Sequence, residues 1–179
     1  YPRYLERLKS DIEKARCEAD YVIVCLHSGG LFNVKVGAYT EYIVDLIVRA
    51  GADAIVGNHP HVVQKFVDKG CLVAYSLGNF SISPSSLYLV RENLPEYSVL
   101  LHFYFYKVTF SILKIVESKN GNLSVYPINA LYDKCDITSE RDMLISDCTK
   151  IYNTFTGKKE MAIDILDEYV CFEKIKDAL

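Results

Sequence analysis

The sequence predicts an α/β fold with a parallel sheet, on three observations. Tyr21 to Leu26 is an uninterrupted apolar run of the kind that forms a buried parallel strand, and Ala54 to Val56 is a shorter one. Two stretches around them carry apolar residues at helical spacing: Leu5, Leu8, Ile12 and Ala15 within Tyr4 to Ala19, and Ile43, Leu46, Ile47 and Ala50 within Thr40 to Ala50. A further strand is expected from Cys71 to Leu77. The order helix, strand, helix, strand, strand is that of a βαβ unit with a right-handed crossover.

Each boundary has a local cause. His27-Ser28-Gly29-Gly30 closes the first strand. Thr40 suits the N-cap of the second helix and Gly51 its C-terminal stop. Gly57 and Asn58 end the Ala54–Val56 run. Pro60 has a fixed φ and no N–H, so it opposes helix and ladder alike, and it pushes His59 towards an extended conformation. Side chains at i and i+2 of an extended chain share a face, so His59 and His61 are expected to project together. The topology then sets His27, His59 and His61 at the C-terminal edge of neighbouring strands, where open α/β sheets hold their ligands.

Beyond Phe80 come a Ser/Pro loop from Ser81 to Ser86 and a polar turn from Arg91 to Glu96. Val99 to Val116 is nearly apolar but contains Lys107 and Lys114, and a lysine near a bilayer centre costs about 2.5–3.5 kcal/mol. Two antiparallel strands meeting near Tyr106-Lys107 are expected, with no membrane span. Asn120-Gly121 is a hairpin turn leading to a return strand, Leu123 to Ile128. Two helices should follow, Ser139 to Phe155 and, after Gly157, Lys159 to Ile175, the latter with Ile163, Leu166, Val170 and Ile175 on one face.

Composition narrows the function. Of 179 residues half are hydrophobic and 24% charged, the balance of an ordinary globular protein, and that length supports one sizeable core. A net charge of −3 and the lack of any basic run argue against nucleic acid as a partner. The six cysteines, at 17, 25, 71, 135, 148 and 171, form no CxxC pair and read as buried free thiols in a reducing setting. The chain begins at Tyr1 with no methionine and no signal sequence, and a piece of a longer protein is expected.

Imidazole is the commonest metal-binding side chain, and His59-Pro60-His61 at a strand exit points to metal or substrate binding. His27 alone is equally at home as a hydrogen-bonded structural residue. Asn79, after Gly78 at another strand exit, is a turn residue by default and a site residue by position. His102 reads as a solvent-face strand residue, and Asp45 and Asp53 as solvated groups. Gly29-Gly30 lacks GxGxxG spacing, and no Walker loop is present.

Three stretches, Val22-Ile23-Val24-Cys25-Leu26-His27-Ser28-Gly29, Gly51-Ala52-Asp53-Ala54-Ile55-Val56-Gly57-Asn58-His59-Pro60-His61-Val62 and Tyr75-Ser76-Leu77-Gly78-Asn79-Phe80, resemble in order and spacing the last three motifs of the bacterial CapA family. These are capsule and poly-γ-glutamate synthesis proteins related to calcineurin-like metallophosphoesterases. The resemblance is strong over Asp20 to Phe80, weaker to about Leu131, and absent from the C-terminal helices. It implies a four-layer α/β/β/α sandwich in which residues 1–132 are the C-terminal half of the domain and 133–179 a helical extension packed on it. It makes His27, His59 and His61 ligands of two divalent ions (manganese, iron, zinc or magnesium), with Asn58 and Asn79 on the substrate side. It also implies a bacterial protein, cytoplasmic or attached to the cell envelope.

Two departures stand out. The Gly-Asp, Asn-bearing acidic and Asn-His motifs of the family's first half have no counterpart, so either the parent protein is longer, with the upstream segment that carries most oxygen ligands as a partner, or the chain is degenerate. The Trp-Gly and nearby Glu-Tyr that usually follow the first histidine are replaced by Ser28-Gly29-Gly30-Leu31-Phe32, which loses an acid. Two functions remain open: a metal-dependent hydrolase of a phosphoester or amide in a cell-envelope polymer, and a non-catalytic component binding polymer or protein in a capsule-synthesis assembly. Half a sheet also leaves an exposed edge, which favours a homo-oligomer.

Overall fold

The computed structural model describes residues 2–83, 90–104 and 107–173. The part of the Ser/Pro loop beyond Ser83, Tyr106 at the expected strand junction, and Ile175 lie outside them.

The first half is the expected α/β unit. Helix α1 (Pro2–Glu18) precedes β1 (Ile23–His27), α2 (Ala38–Arg49) and β2 (Ala54–Asn58), then β3 (Phe66–Asp68) and β4 (Leu72–Ala74). The sheet runs in the order β1-β2-β4-β3. β1 pairs β2 in parallel from Ile23 opposite Ala54 to His27 opposite Asn58, and β2 pairs β4 in parallel. The short β3, for which the sequence reading has no strand, is antiparallel to β4. Ile12 of α1, with Ile43, Val44 and Ile47 of α2, closes over Ile55 and Val73 in one buried cluster.

Local details differ from expectation. Thr40 is not the N-cap of α2. Gly37 takes that place without a side-chain cap, while Thr40 is buried one turn in, its hydroxyl 3.2 Å from that of Ser28. Gly51 does end the helix, at φ +95°. β1 is not buried either. It stands at the sheet's edge with Val24 and Leu26 turned to the helices, while Ile23 is 45% exposed and Cys25 lies open on the other face. The apolar run reports a strand, but no element among the described residues covers its second face. Cys17 is also exposed, so only Cys71 and Cys148 of the six thiols are buried as expected, with Cys135 and Cys171 half-buried. Asp53 is paired rather than freely solvated: its Oδ2 accepts from Arg16 Nη1 and from the backbone N–H of Val22, tying α1 to the start of β1.

The second sheet contains β5 (Tyr97–Phe103), β6 (Lys107–Glu117), β7 (Leu123–Pro127) and β8 (Tyr169–Glu173). β5 and β6 are the antiparallel pair expected from Val99 to Val116, and among the described residues no helix is long and apolar enough to cross a membrane. Lys114 is accommodated across the ladder, where its ammonium lies over the Tyr97 ring and donates to the Tyr97 hydroxyl at 2.8 Å. Gly121, at φ +77°, turns β6 into β7. His102 is half-buried with Nε2 2.9 Å from Ser111 Oγ, not a free solvent-face residue.

Helix α3 (Ile128–Tyr132) and α4 (Thr138–Thr156) follow, and Gly157 caps α4 in the left-handed conformation. The second C-terminal helix, Lys159 to Ile175, is overturned. Residues 157–168 are irregular, and 169–173 form β8, antiparallel to the first residues of β6. The reason is tertiary. β7 covers only Leu113–Glu117, so Lys107 to Phe110 offer an open ladder, and Tyr169 buries its ring against Phe110 and Tyr152 when β8 pairs there. Polar groups of α4 satisfy the irregular stretch: Asn153 exchanges two bonds with Glu160, and Thr149 Oγ1 accepts from the Ile163 N–H. Phe66 and Ala74 of the first sheet, Tyr97, Val99, Phe110 and Ile112 of the second, and Cys148, Ile151 and Phe155 of α4 make up the larger core.

Candidate functional site

All three predicted histidines and Asn79 meet at the C-terminal edge of β1 and β2. His27 is the last residue of β1 and is exposed. His59 and His61 belong to the turn that leaves β2, both half-buried. His27 Nε2 lies 2.9 Å from His59 Nδ1, with the rings edge to face, and the His59 and His61 ring centroids are 6.2 Å apart.

The histidines converge for a reason other than the expected one. His59 is not extended; it has φ +111°, and His61 has φ +61°. Three contacts hold this conformation against the preference of a pre-proline residue. Asn58 Oδ1 accepts the His59 N–H at 2.8 Å, and the buried Pro60 gives its carbonyl to the Phe32 N–H at 2.7 Å. Gly29, at φ +133°, lets the chain approach so closely that an added Cβ would stand 2.8 Å from Pro60 Cγ. Asn58, expected near substrate, thus uses its side-chain oxygen within the turn.

Asn79 is buried and fully engaged. Its Nδ2 donates to the carbonyls of His61 and Pro95, both at 3.0 Å, so its Oδ1 faces His61 Nδ1 at 2.7 Å. An amide oxygen only accepts, so Nδ1 of His61 carries the proton, and in the neutral ring Nε2 is the nitrogen that holds the lone pair. A partner of this kind is what orients a metal-ligating histidine.

Three further residues shape the site and were not expected from the sequence. The Phe32 ring stacks on the His61 imidazole at 5.4 Å. Gln64 is buried and donates to the carbonyl of Asn33 at 2.7 Å, and Asn93 donates to the carbonyl of Phe32 at 2.8 Å. Only Gln64 left a signal, as a polar residue three places after His61 at the end of an apolar pair.

The donor set fits a divalent cation in part. Two nitrogens in adjacent octahedral positions on one ion, each about 2.1 Å from it, stand about 3 Å apart, close to the 2.9 Å between His27 Nε2 and His59 Nδ1, which is also the distance of a hydrogen bond between the two rings. His61 offers Nε2. Among the described residues, however, no three His, Cys, Asp or Glu side chains form a group able to hold a metal ion, and no carboxylate completes the site.

Residues 2–84 match the family model described as bacterial capsule synthesis protein PGA_cap. That span contains the three histidines and Asn79. This part of the chain is similar to the PGA_cap family. A Bacillus anthracis protein named capsule biosynthesis protein CapA is 40% identical over 77 residues, which is 42% of this chain and 19% of the relative. A Bacillus subtilis (strain 168) protein named PGA biosynthesis protein CapA is 39% identical over 70 residues, 38% of this chain and 18% of the relative. The matched stretch thus spans about a fifth of the length of these relatives. The elements from β5 onward lie outside the PGA_cap match.

Proposed function

We propose that this chain supplies the histidine side of a divalent-metal centre in a capsule-biosynthesis hydrolase, acting on a phosphoester or amide of a cell-envelope polymer. The observation behind this reading is the meeting of His27, His59 and His61 at one sheet edge, with Asn79 fixing the tautomer of His61. His61 would bind through Nε2, and His27 and His59 through the nitrogens that now face each other. One or two ions of manganese, iron, zinc or magnesium, when bound, supply a Lewis acid for the substrate oxygen and lower the pKa of water. Asn79 holds its proton-acceptor oxygen on His61 Nδ1 throughout. The remaining carboxylate ligands would come from sequence outside these 179 residues, completing a four-layer α/β/β/α sandwich. The uncovered face of β1, with Ile23 and Cys25 open, suits such a partner segment or a second copy.

One observation favours a second reading, a non-catalytic polymer- or partner-binding role: among the described residues, no three His, Cys, Asp or Glu side chains form a group able to hold a metal ion. Calorimetry with Mn²⁺ on the intact gene product, paired with hydrolysis of bis-p-nitrophenyl phosphate, separates the two. The first reading expects binding and turnover, both lost in His59→Ala and His61→Ala. Binding without turnover supports the second. Mn²⁺ uptake that neither substitution alters would overturn the metal role of the histidines.

A further inference from the structure

Four described residues other than glycine adopt positive φ: Phe32, His59, His61 and Leu94. Three of them meet at the site. Two belong to the His-Pro-His turn, but Phe32 comes from the loop that follows β1, and its own backbone is held at φ +54°. Backbone held in such a sparsely populated region persists only where the surroundings over-determine it. Around Phe32 they do. Its N–H is bound to Pro60 O at 2.7 Å and its carbonyl to Asn93 Nδ2 at 2.8 Å, while the next carbonyl, of Asn33, accepts from buried Gln64. The ring so fixed is half-buried and lies on His61 with centroids 5.4 Å apart and planes 28° apart.

We propose that Phe32 is a positioning residue for His61. Asn79 fixes which nitrogen of the imidazole carries the proton, but a single hydrogen bond leaves the ring free to rock about it. The Phe32 face removes that freedom and fixes the plane in which Nε2 is presented, with the His59 ring centroid 6.2 Å from that of His61. Phe32 itself supplies no ligand atom. The loop thereby acquires a task that does not depend on the acid it lacks: Leu31, exposed beside Phe32, is apolar, and the ring does the ordering. Removing a group that orients a metal-binding histidine costs about 10–100-fold in affinity.

This inference rests on the reading of His61 as a ligand, and the test keeps the two apart. Phe32→Leu keeps apolar bulk and loses the ring plane; Phe32→Tyr keeps both. In the intact protein without metal, the His61 ring-proton resonances should be shielded by the Phe32 ring, should move downfield in Phe32→Leu, and should stay in place in Phe32→Tyr. Calorimetry with Mn²⁺ should show about a tenfold loss for Phe32→Leu and recovery in Phe32→Tyr. Asn93→Ala, which frees the Phe32 carbonyl and spares the ring, should displace the same resonances in the same direction and serves if Phe32→Leu does not fold. Unmoved His61 resonances overturn the proposal, as does an unchanged Mn²⁺ affinity in a variant whose resonances have moved. If the unaltered protein takes up no Mn²⁺, the ligand role of His61 fails, and the positioning role for ligation fails with it, even where the resonances show the stacking itself.

Discussion

Gly57→Ala should damage the fold at the point where it builds the site. Gly57 is buried in β2, one residue before the turn begins, and the chain leaving β4 crosses directly over it. A Cβ on Gly57 would stand 2.0 Å from the carbonyl oxygen of Tyr75 and 2.6 Å from its carbonyl carbon. Ordinary contact begins at 3.4 Å, so the backbone would have to part by 1.4 Å (3.4 less 2.0), and no flexible side chain can yield instead. Such a displacement breaks the 3.2 Å bond from Leu77 N–H to Gly57 O and strains that from Gln64 N–H to Ser76 O. Overpacking costs about 1–3 kcal/mol, and each lost hydrogen bond about 0.5–1.5 kcal/mol. The expected loss is therefore about 2–5 kcal/mol, a large share of a typical stability of about 5–15 kcal/mol. Urea unfolding followed by circular dichroism measures it. In the folded fraction the proton on His61 Nδ1 should exchange faster, because Asn79 follows Leu77 on the displaced segment. A midpoint within experimental error of the parent would refute the close-approach argument.

Two other outcomes are expected. In the native protein Cys17 and Cys25 should react first with a disulfide reagent, whereas Cys71, pushed up to about 11, and Cys148, pushed up to about 12, both by burial, should react only on unfolding. Labelling of Cys148 as fast as Cys25 in native protein would contradict this. Glu168 is held below the usual carboxylate range, first by the Thr109 hydroxyl and then by that of Tyr104. Its folded-state pKa is depressed, so its contribution to stability is complete above the unfolded value of about 4.3 and fades as pH falls through the folded one. Glu168→Gln should flatten that part of the acid limb in thermal melts, and an identical limb in both proteins would show that the contact carries no linkage.

How much of this was legible in the sequence depended on the range of the forces involved. Periodicity and punctuation placed α1, β1, α2, β2, the β5–β6 pair, the Gly121 hairpin and α4 ended by Gly157, because local spacing and turn chemistry decide them. β8 was lost because Ile163, Leu166 and Val170 fit a helix as well as a strand, and the open ladder of β6 that settled the matter lies some 60 residues upstream. The exposure of β1 was hidden for a similar reason: an apolar run says that a strand forms, not that both faces are covered. In the site, the residue types and the shared edge were readable from His27, His59, His61 and Asn79. The positive φ of His59 was not, since a proline rule applies to an isolated peptide and the Pro60–Phe32 bond does not exist there. Phe32 and Asn93 act through contacts 29 and 61 residues apart along the chain, and no local pattern announces them.

The route taken by residues 75–79 has a consequence for where the chain can be cut. Asn79 reaches His61 only while its amide is also bound to Pro95, Gly78 bridges Ser98, and the Val99 N–H holds Leu77 O. All three anchors belong to the part with no counterpart in the family match. The same part supplies Tyr97, Phe110 and Phe155, against which Val63, Phe66 and Ala74 are buried. A gene truncated where the similarity stops, after residue 84, would therefore express a product with three apolar side chains laid bare and an amide released from the imidazole it orients. The border drawn by sequence likeness runs through the middle of a cooperative unit, and a swap between relatives would have to carry the second sheet along with the histidines it steadies.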